Sequence, residues 1–188
     1  VRLSSLEPEL LKREDVERLA KLPEFCPQFH LSLQSGCDRT LAAMRRRYNT
    51  NTYREVVKNI REFFPEGAIT TDIIVGFPGE TEEDFEESCA FIEEIGFAKV
   101  HIFPYSRRTG TDAAVMPNQI PNSVKAERCA AMAKRAEAVR AKFLERQVGK
   151  TESVLIESEI KDGMMQGYTM NYTPVTLPAV KGLLCTVQ

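Results

Sequence analysis

Residues 70–87 read TTDIIVGFPGETEEDFEE, and this stretch decides the fold. The segment Ile69 to Val75 is almost continuously apolar, which predicts a strand buried on both faces, as in a parallel sheet. Thr81 and Asp84 then have capping-box spacing, so a helix should open there with Phe85, Cys89 and Ile92 on one face. Gly96 suits its C-terminal cap, and Lys99 to Tyr105 reads as the next strand. Working outward toward the N-terminus, the same alternation repeats. Val1 to Ser5 is short and β-prone. Pro8 to Leu22 has a helical pattern through Leu10, Leu11, Val16 and Leu19. Phe29 to Leu33 reads as a strand, followed by a helix from about Asp38 and another from Thr52. Thr52 and Glu55 have capping-box spacing, and Val56, Val57, Ile60, Phe63 and Phe64 form an apolar stripe. Strand-helix units of this length imply an α/β fold with a parallel sheet and right-handed crossovers. Four such strands are too few for a closed barrel, so the expected architecture is a partial parallel (β/α) barrel.

Beyond Tyr105 the texture changes. Ser106 to Pro121 is loop-like. Asn122 or Ser123 should then cap a long helix running to about Gln147, with Met132, Ala136, Val139 and Phe143 buried. The stretch Asn122 to Lys150 carries eight Lys or Arg against three Glu, whereas Glu80 to Glu94 carries eight acidic residues and no basic one. Each run reads first as a solvated helix face and second as a surface for a charged partner. After Gly149 come short β-like segments at Ser153 to Ile156, Tyr168 to Tyr172 and Leu183 to Val187. The expected domains are 1–147, the α/β part, and 148–188, a small all-β part.

The 188 residues are 43% hydrophobic and 28% charged with a net charge of −2, ordinary for a globular chain. That balance excludes a uniformly basic nucleic-acid binder but leaves room for a local basic face. No apolar run approaches the ~18 residues of a membrane span, so no membrane partner is expected. Five cysteines stand at Cys26, Cys37, Cys89, Cys129 and Cys185. Their odd number and wide spacing read as reduced thiols of a cytoplasmic protein, without a metal site.

Four segments at or just after strand ends carry chemistry, and that edge is where parallel α/β folds bind ligands. Leu33-Gln34-Ser35-Gly36 offers amide and hydroxyl groups suited to a ribose or a carboxylate, or else forms a helix-entry turn. Arg45-Arg46-Arg47 offers guanidinium forks for a carboxylate or phosphate, or simply complements a helix C-terminus. Asp72 in an apolar strand must be hydrogen-bonded or face a ligand. Gly76 and Gly79 permit close backbone approach. Phe103, Pro104 and Tyr105 offer aromatic and apolar faces for a base, with Arg107 and Arg108 directly behind. His101 reads as a core histidine, since no second His or acid lies near it in sequence. In the tail, Lys150, Tyr168, Asn171 and Tyr172 suit either single-stranded nucleic acid or the core of a small barrel.

Taken together, FHLSLQSGCDRTLAAMRRRY (29–48), the opening 70–87 segment and HIFPYSRRTGT (101–111) resemble the methylthiotransferase family of radical S-adenosylmethionine (SAM) enzymes. With SLEP at 5–8, the closest likeness is to the MtaB-like branch, which methylthiolates N6-threonylcarbamoyladenosine beside the anticodon of tRNA. The resemblance implies that 1–147 are later strands of the radical SAM barrel and that 148–188 are an RNA-binding TRAM domain, an OB-like β-barrel. It implies SAM and two [4Fe-4S] clusters as cofactors, and tRNA as the partner. Carried over residue by residue, it places Gln34, Ser35, Arg46, Asp72, Gly76, Phe103 and Pro104 at SAM, with Arg46 on the SAM carboxylate. Ser5 stands where relatives have an acid near the SAM amino group. Arg107 and Arg108 fall on the substrate side or on the second-cluster side, and Lys150, Tyr168, Asn171 and Tyr172, in the part that resembles the RNA-binding domain, are the candidates for the RNA substrate. The family's CxxxCxxC, whose thiolates hold the radical cluster, does not occur in this sequence. The expectation is therefore a C-terminal part of the enzyme, inactive by itself. Three other readings stand beside it. One is a methylthiotransferase of the isopentenyladenosine or ribosomal-protein branch. Another is a tRNA-binding module without chemistry. The last is an iron-free barrel enzyme using Asp72 and Arg46 on a phosphorylated substrate.

Overall fold

The computed structural model describes residues 1–160, 163–180, 182 and 184–187. Its central feature is a parallel sheet of β1 (Gln28–His30), β2 (Ala68–Val75) and β3 (Lys99–Pro104), in the order β1-β2-β3. The register sets His30 opposite Thr70, and Asp72 opposite His101. The expected strand Val1 to Ser5 shrinks to one parallel bridge between Leu6 and Leu31. There the Leu6 amide donates to His30 O and the Ser32 amide donates to Leu6 O, each at 2.9 Å. Pro8, which has no N–H to extend a ladder, then opens a 3₁₀ turn, Pro8–Leu10. The expected helix Pro8 to Leu22 is split by extended Leu11, and only α1 (Arg13–Ala20) is α-helical.

The crossovers are α2 (Asp38–Ala43) with α3 (Thr50–Phe63), then α4 (Glu82–Ile95). On α3 the N-cap is Asn49, whose side chain accepts from the Thr52 amide at 2.8 Å; the helix thus begins two residues before the expected Thr52 box. Asn is the stronger cap and Thr52 falls inside the first turn. On α4 the expected box forms: Thr81 Oγ1 accepts from the Asp84 amide and Asp84 Oδ2 accepts from the Thr81 amide. Gly96 caps it with φ 68°. Phe85, Cys89 and Ile92 are buried as expected, in one core with Phe29, Leu31, Tyr53, Ile60, Ile73 and Phe97.

β2 is buried on both faces from Ala68 to Thr71, as expected, and on one face only from Asp72 onward. Ile69, Thr71, Ile73 and Val75 pack under the helices, whereas Asp72 and Ile74 lie half-buried on the opposite face. Beyond Thr70 the described chain covers that second face only in part.

A four-residue helix, α5 (Asp112–Val115), precedes α6 (Asn122–Glu145), whose N-cap is Pro121, so Asn122 is its first residue and not its cap. Met132, Ala136, Val139 and Phe143 are buried as the periodicity predicts. The acidic and basic runs face each other: Arg128 pairs with Glu80 and Glu82, and Arg135 with Glu86. Two of the eight cations of that stretch, Arg128 and Arg135, are thus engaged by the acidic run, while Lys134, Lys142 and Arg146 are exposed as a solvated face would be.

The tail forms an antiparallel sheet of β4 (Val154–Ile160), β5 (Met164–Thr169) and β6 (Pro174–Pro178). The expected strand Tyr168 to Tyr172 ends at Thr169, and Asn171 and Tyr172 lie in the turn, Tyr172 at φ 67°. β6 is flanked by two prolines and pairs along one side only, with β5; proline is tolerated on such edges and hides a strand from propensity. Of the expected segment Leu183 to Val187, Leu183 lies outside the described residues. Val187 makes a single antiparallel bridge to Leu155.

Candidate ligand site at the strand ends

After Leu33 the backbone turns sharply at Gln34, which has φ 67°. Its amide donates to Asp72 O and its carbonyl accepts from the Ile74 amide, both at 2.9 Å. A non-glycine residue held in the left-handed region costs free energy, and such strain gathers at ligand sites. The kink brings Gln34 beside Asp72, Ile74, Phe103, Pro104 and Arg108 around a cleft of about 470 Å³. Phe103 is 51% exposed there, an unusual position for a large aromatic ring. Carboxylate, amide and apolar ring face make a donor set suited to a nucleoside: the carboxylate for ribose hydroxyls, the ring and proline for a base.

Asp72 is not alone. His30 Nε2 lies 3.3 Å from its Oδ2, and His30 Nδ1 lies 2.9 Å from Thr70 Oγ1. Gln28 Nε2 donates to the same Thr70 oxygen at 3.0 Å. His101, opposite Asp72 in the register, has its ring 6.0 Å from that of His30. Burial, then the Lys99 charge, push the His101 pKa below its ordinary value. This group is invisible along the chain because its members come from three strands. Only the parallel register unites them.

The other expected residues divide. Arg46 sits after α2 with its Nη1 3.0 Å from Glu7 Oε1. Glu7 was not singled out from sequence, yet it supplies an acid two residues beyond exposed Ser5. Arg45 pairs with Asp112 at 2.6 Å. Ser35 is not brought to the cleft; its buried Oγ lies 3.1 Å from Ser88 Oγ and accepts from the Cys37 amide. Gly76 is also covered. Its amide donates to Glu80 Oε1 at 2.9 Å, Arg128 holds the same oxygen, and the Lys125 stem lies over its Cα. Arg107 faces a separate cleft of about 780 Å³ between β3 and α6, with its Nε donating to Ala114 O at 2.6 Å. Pro104 and Tyr105 form the wall between the two clefts. The Tyr105 hydroxyl oxygen is buried without a partner among the described residues.

In the tail, Tyr168 and Tyr172 stack at 4.4 Å, with the Arg2 guanidinium 4.1 Å from the Tyr172 ring centre. They line a small pocket of about 260 Å³ beside Lys99 and Arg140, at the starts of β2 and β3 and so away from the first cleft. Asn171 is 6% exposed and fully engaged: its Nδ2 donates to Glu66 O and Gln147 Oε1. Lys150 pairs with Glu66. Both fasten the small sheet to the α/β part, where they had been expected at a substrate.

A parallel strand-helix sheet with a nucleoside-suited cleft at its strand ends defines a barrel-type α/β protein. Residues 2–92 match the Radical SAM superfamily. The chain is 40% identical over 172 residues to the threonylcarbamoyladenosine tRNA methylthiotransferase MtaB of Thermotoga maritima, covering 92% of this chain and 40% of that protein. It is 45% identical over 152 residues to the tRNA-2-methylthio-N(6)-dimethylallyladenosine synthase of Thermobifida fusca, covering 79% and 31%. Coproporphyrinogen III oxidase (HemN) of Escherichia coli shares the fold, with a TM-score of 0.57 at 12% identity, over 94% of this chain and 51% of that one. The chain is thus similar to the radical SAM superfamily over residues 2–92 and to tRNA methylthiotransferases over most of its length. It spans about 40% or less of the length of these two methylthiotransferases.

Likeness to the radical SAM superfamily points to SAM and a [4Fe-4S] cluster. The adenosyl half fits: Gln34, Asp72, Phe103 and Pro104 share one cleft. For the methionyl half, Arg46 and Glu7 form one ion pair, a cation and an anion of the kind an amino-acid zwitterion needs. A cluster fits less well. Among the described residues Cys37 meets only Asp84 and Glu87 as further ligands, and burial pushes its thiol up to about 11, which disfavours the thiolate a cluster requires.

Proposed function

We propose that this chain is the part of a tRNA methylthiotransferase that holds the adenosyl and methionyl ends of SAM and helps grip the RNA. The observation that carries this is the convergence of Gln34, Asp72, Phe103 and Pro104 on one cleft in a chain with this likeness. In this reading Asp72 takes the ribose hydroxyls, the Phe103 and Pro104 faces take the adenine, and Gln34 orients the sugar. Arg46 takes the carboxylate and Glu7 the amino group. Bound SAM supplies the 5′-deoxyadenosyl radical and the methyl group, with two [4Fe-4S] clusters whose ligands are expected outside these residues. Arg108, at the mouth of the cleft, faces the substrate. The aromatic pair Tyr168 and Tyr172, in a TRAM-like domain, stacks on tRNA bases near the anticodon. The enzyme would act in the cytoplasm, and this chain alone would cleave no SAM.

For the substrate we infer C2 of N6-threonylcarbamoyladenosine, supported by SLEP, SLQSGCD and FPYSRRTGT and by the MtaB relative. The comparable identity to a dimethylallyladenosine synthase keeps that branch as the second reading. Nucleoside mass spectrometry of tRNA from a strain lacking the gene decides between them. Loss of 2-methylthio-threonylcarbamoyladenosine is expected; loss of the dimethylallyl product instead would overturn the assignment. The cleft itself is tested by calorimetry with S-adenosylhomocysteine, which carries the same two ends without needing a cluster. Replacing Asp72 or Arg46 with Ala should weaken binding about tenfold, in line with a lost charge-assisted hydrogen bond. Unchanged affinity in both variants would sink the site.

A further inference from the structure

The partly open face of the sheet carries a group of which the SAM reading uses only Asp72. His30, Asp72 and His101 project from three adjacent strands, are all half-buried, and have ligand atoms within 4.8 Å of one another. We propose that they form a binding site for a divalent transition-metal ion, with Zn²⁺ as the fitting species, distinct from any iron-sulfur cluster.

Geometry supports this. Tetrahedral Zn²⁺ has bonds of about 2.0–2.1 Å to nitrogen and oxygen, so two of its ligand atoms stand about 3.3–3.4 Å apart. His30 Nε2 and Asp72 Oδ2 are 3.3 Å apart. The third ligand atom, on His101, lies within 4.8 Å of both. Two imidazoles and one carboxylate are a donor set that suits zinc, and three protein ligands leave the fourth position for a ligand oxygen or water.

The surrounding shell also fits. A ligating histidine normally donates its other ring N–H to an outer partner, which sets the tautomer. His30 Nδ1 lies 2.9 Å from Thr70 Oγ1, leaving Nε2 directed at Asp72. Gln28 in turn donates to Thr70 Oγ1 and holds that hydroxyl in place. Lys99, two residues from His101, adds an opposing charge but is exposed to solvent. The second carboxylate oxygen of Asp72 is left for the strand-end cleft, so the inference does not depend on the SAM reading.

The test uses the whole chain, stripped with chelator and titrated with Co²⁺, followed by its visible ligand-field bands and by elemental analysis after Zn²⁺ exchange. One ion per chain is expected. His101→Ala should abolish stoichiometric uptake. Thr70→Val keeps all three ligands and should weaken binding about 10–100-fold. Cys37→Ser and Cys185→Ser should leave it intact, and circular dichroism confirms that each variant folds. No stoichiometric uptake by the parent would overturn the proposal, leaving an ordinary His30–Asp72 hydrogen bond. So would uptake that survives in His101→Ala, or that is lost with a cysteine instead.

Discussion

Gly36 shows how tightly a single residue is specified. The loop after β1 crosses α4 so closely that a Cβ at this position would lie 2.7 Å from Phe91 Cβ and 2.8 Å from Ser88 Cα. Neither atom is the free end of a flexible chain. Gly36→Ala should therefore cost about 1–3 kcal/mol by overpacking, read as a lower midpoint in urea unfolding. Because the same loop sets the kink at Gln34, affinity for S-adenosylhomocysteine should fall in the same variant. The sequence pointed to Gln34, Asp72, Phe103 and Pro104 through their places at strand ends. It misjudged Ser35 and Gly76, because a small residue next to a turn looks alike whether it faces a ligand or a neighbouring helix. Glu7 escaped notice because its partner, Arg46, lies far along the chain.

At the scale of elements, the ion pairs between α4 and α6 hold the turn behind the cleft. The Glu80 and Arg128 side chains are 3% and 9% exposed and share Glu80 Oε1 with the Gly76 amide. Burial raises the Glu80 pKa, while the Gly76 amide and Arg128 oppose it. Arg128→Ala removes the cation and leaves a buried carboxylate, a loss of about 3–5 kcal/mol, measurable by thermal unfolding at neutral pH. The N-terminus of α4 responds to acid. Burial works against the Asp84 charge, but Arg39, the Thr81 amide, the Cys37 thiol and the Thr81 hydroxyl outweigh it and hold the carboxyl well below the usual range. A depressed carboxylate stabilises the fold above its unfolded value of about 3.9, and that stability is lost as pH falls toward the folded value. Asp84→Asn should thus be less stable than the parent at neutral pH and lose less on acidification from about pH 5 downward. Helix α4 was readable because its capping box and apolar face are local. The facing of α4 and α6 was not, since each charge run is compatible with solvent.

Across the whole molecule, the small sheet is joined to the α/β part through few polar groups. Asn171 reaches Glu66 O at 2.9 Å and Gln147 Oε1 at 3.1 Å, while its Oδ1 accepts from Thr169 and Thr173 within its own turn. Asn171→Ala leaves those partners unsatisfied, at a cost of about 1–3 kcal/mol. Amide hydrogen exchange should quicken in β4–β6 and stay unchanged in β1–β3. Equal quickening in both sheets would contradict this junction.

The alternation of strands and helices, the parallel class of the first sheet, the caps of α4 and the face of α6 were determined by sequence alone. All of these follow from spacing within a few turns of chain, where periodicity and capping act. Tertiary structure decided that β2 is partly open on one face in its second half, that Asn171 and Lys150 tie the small sheet to the α/β part, and that His30, Asp72 and His101 meet. Those outcomes depend on which strands pair and in what register, a balance of packing over the whole sheet that no local pattern records.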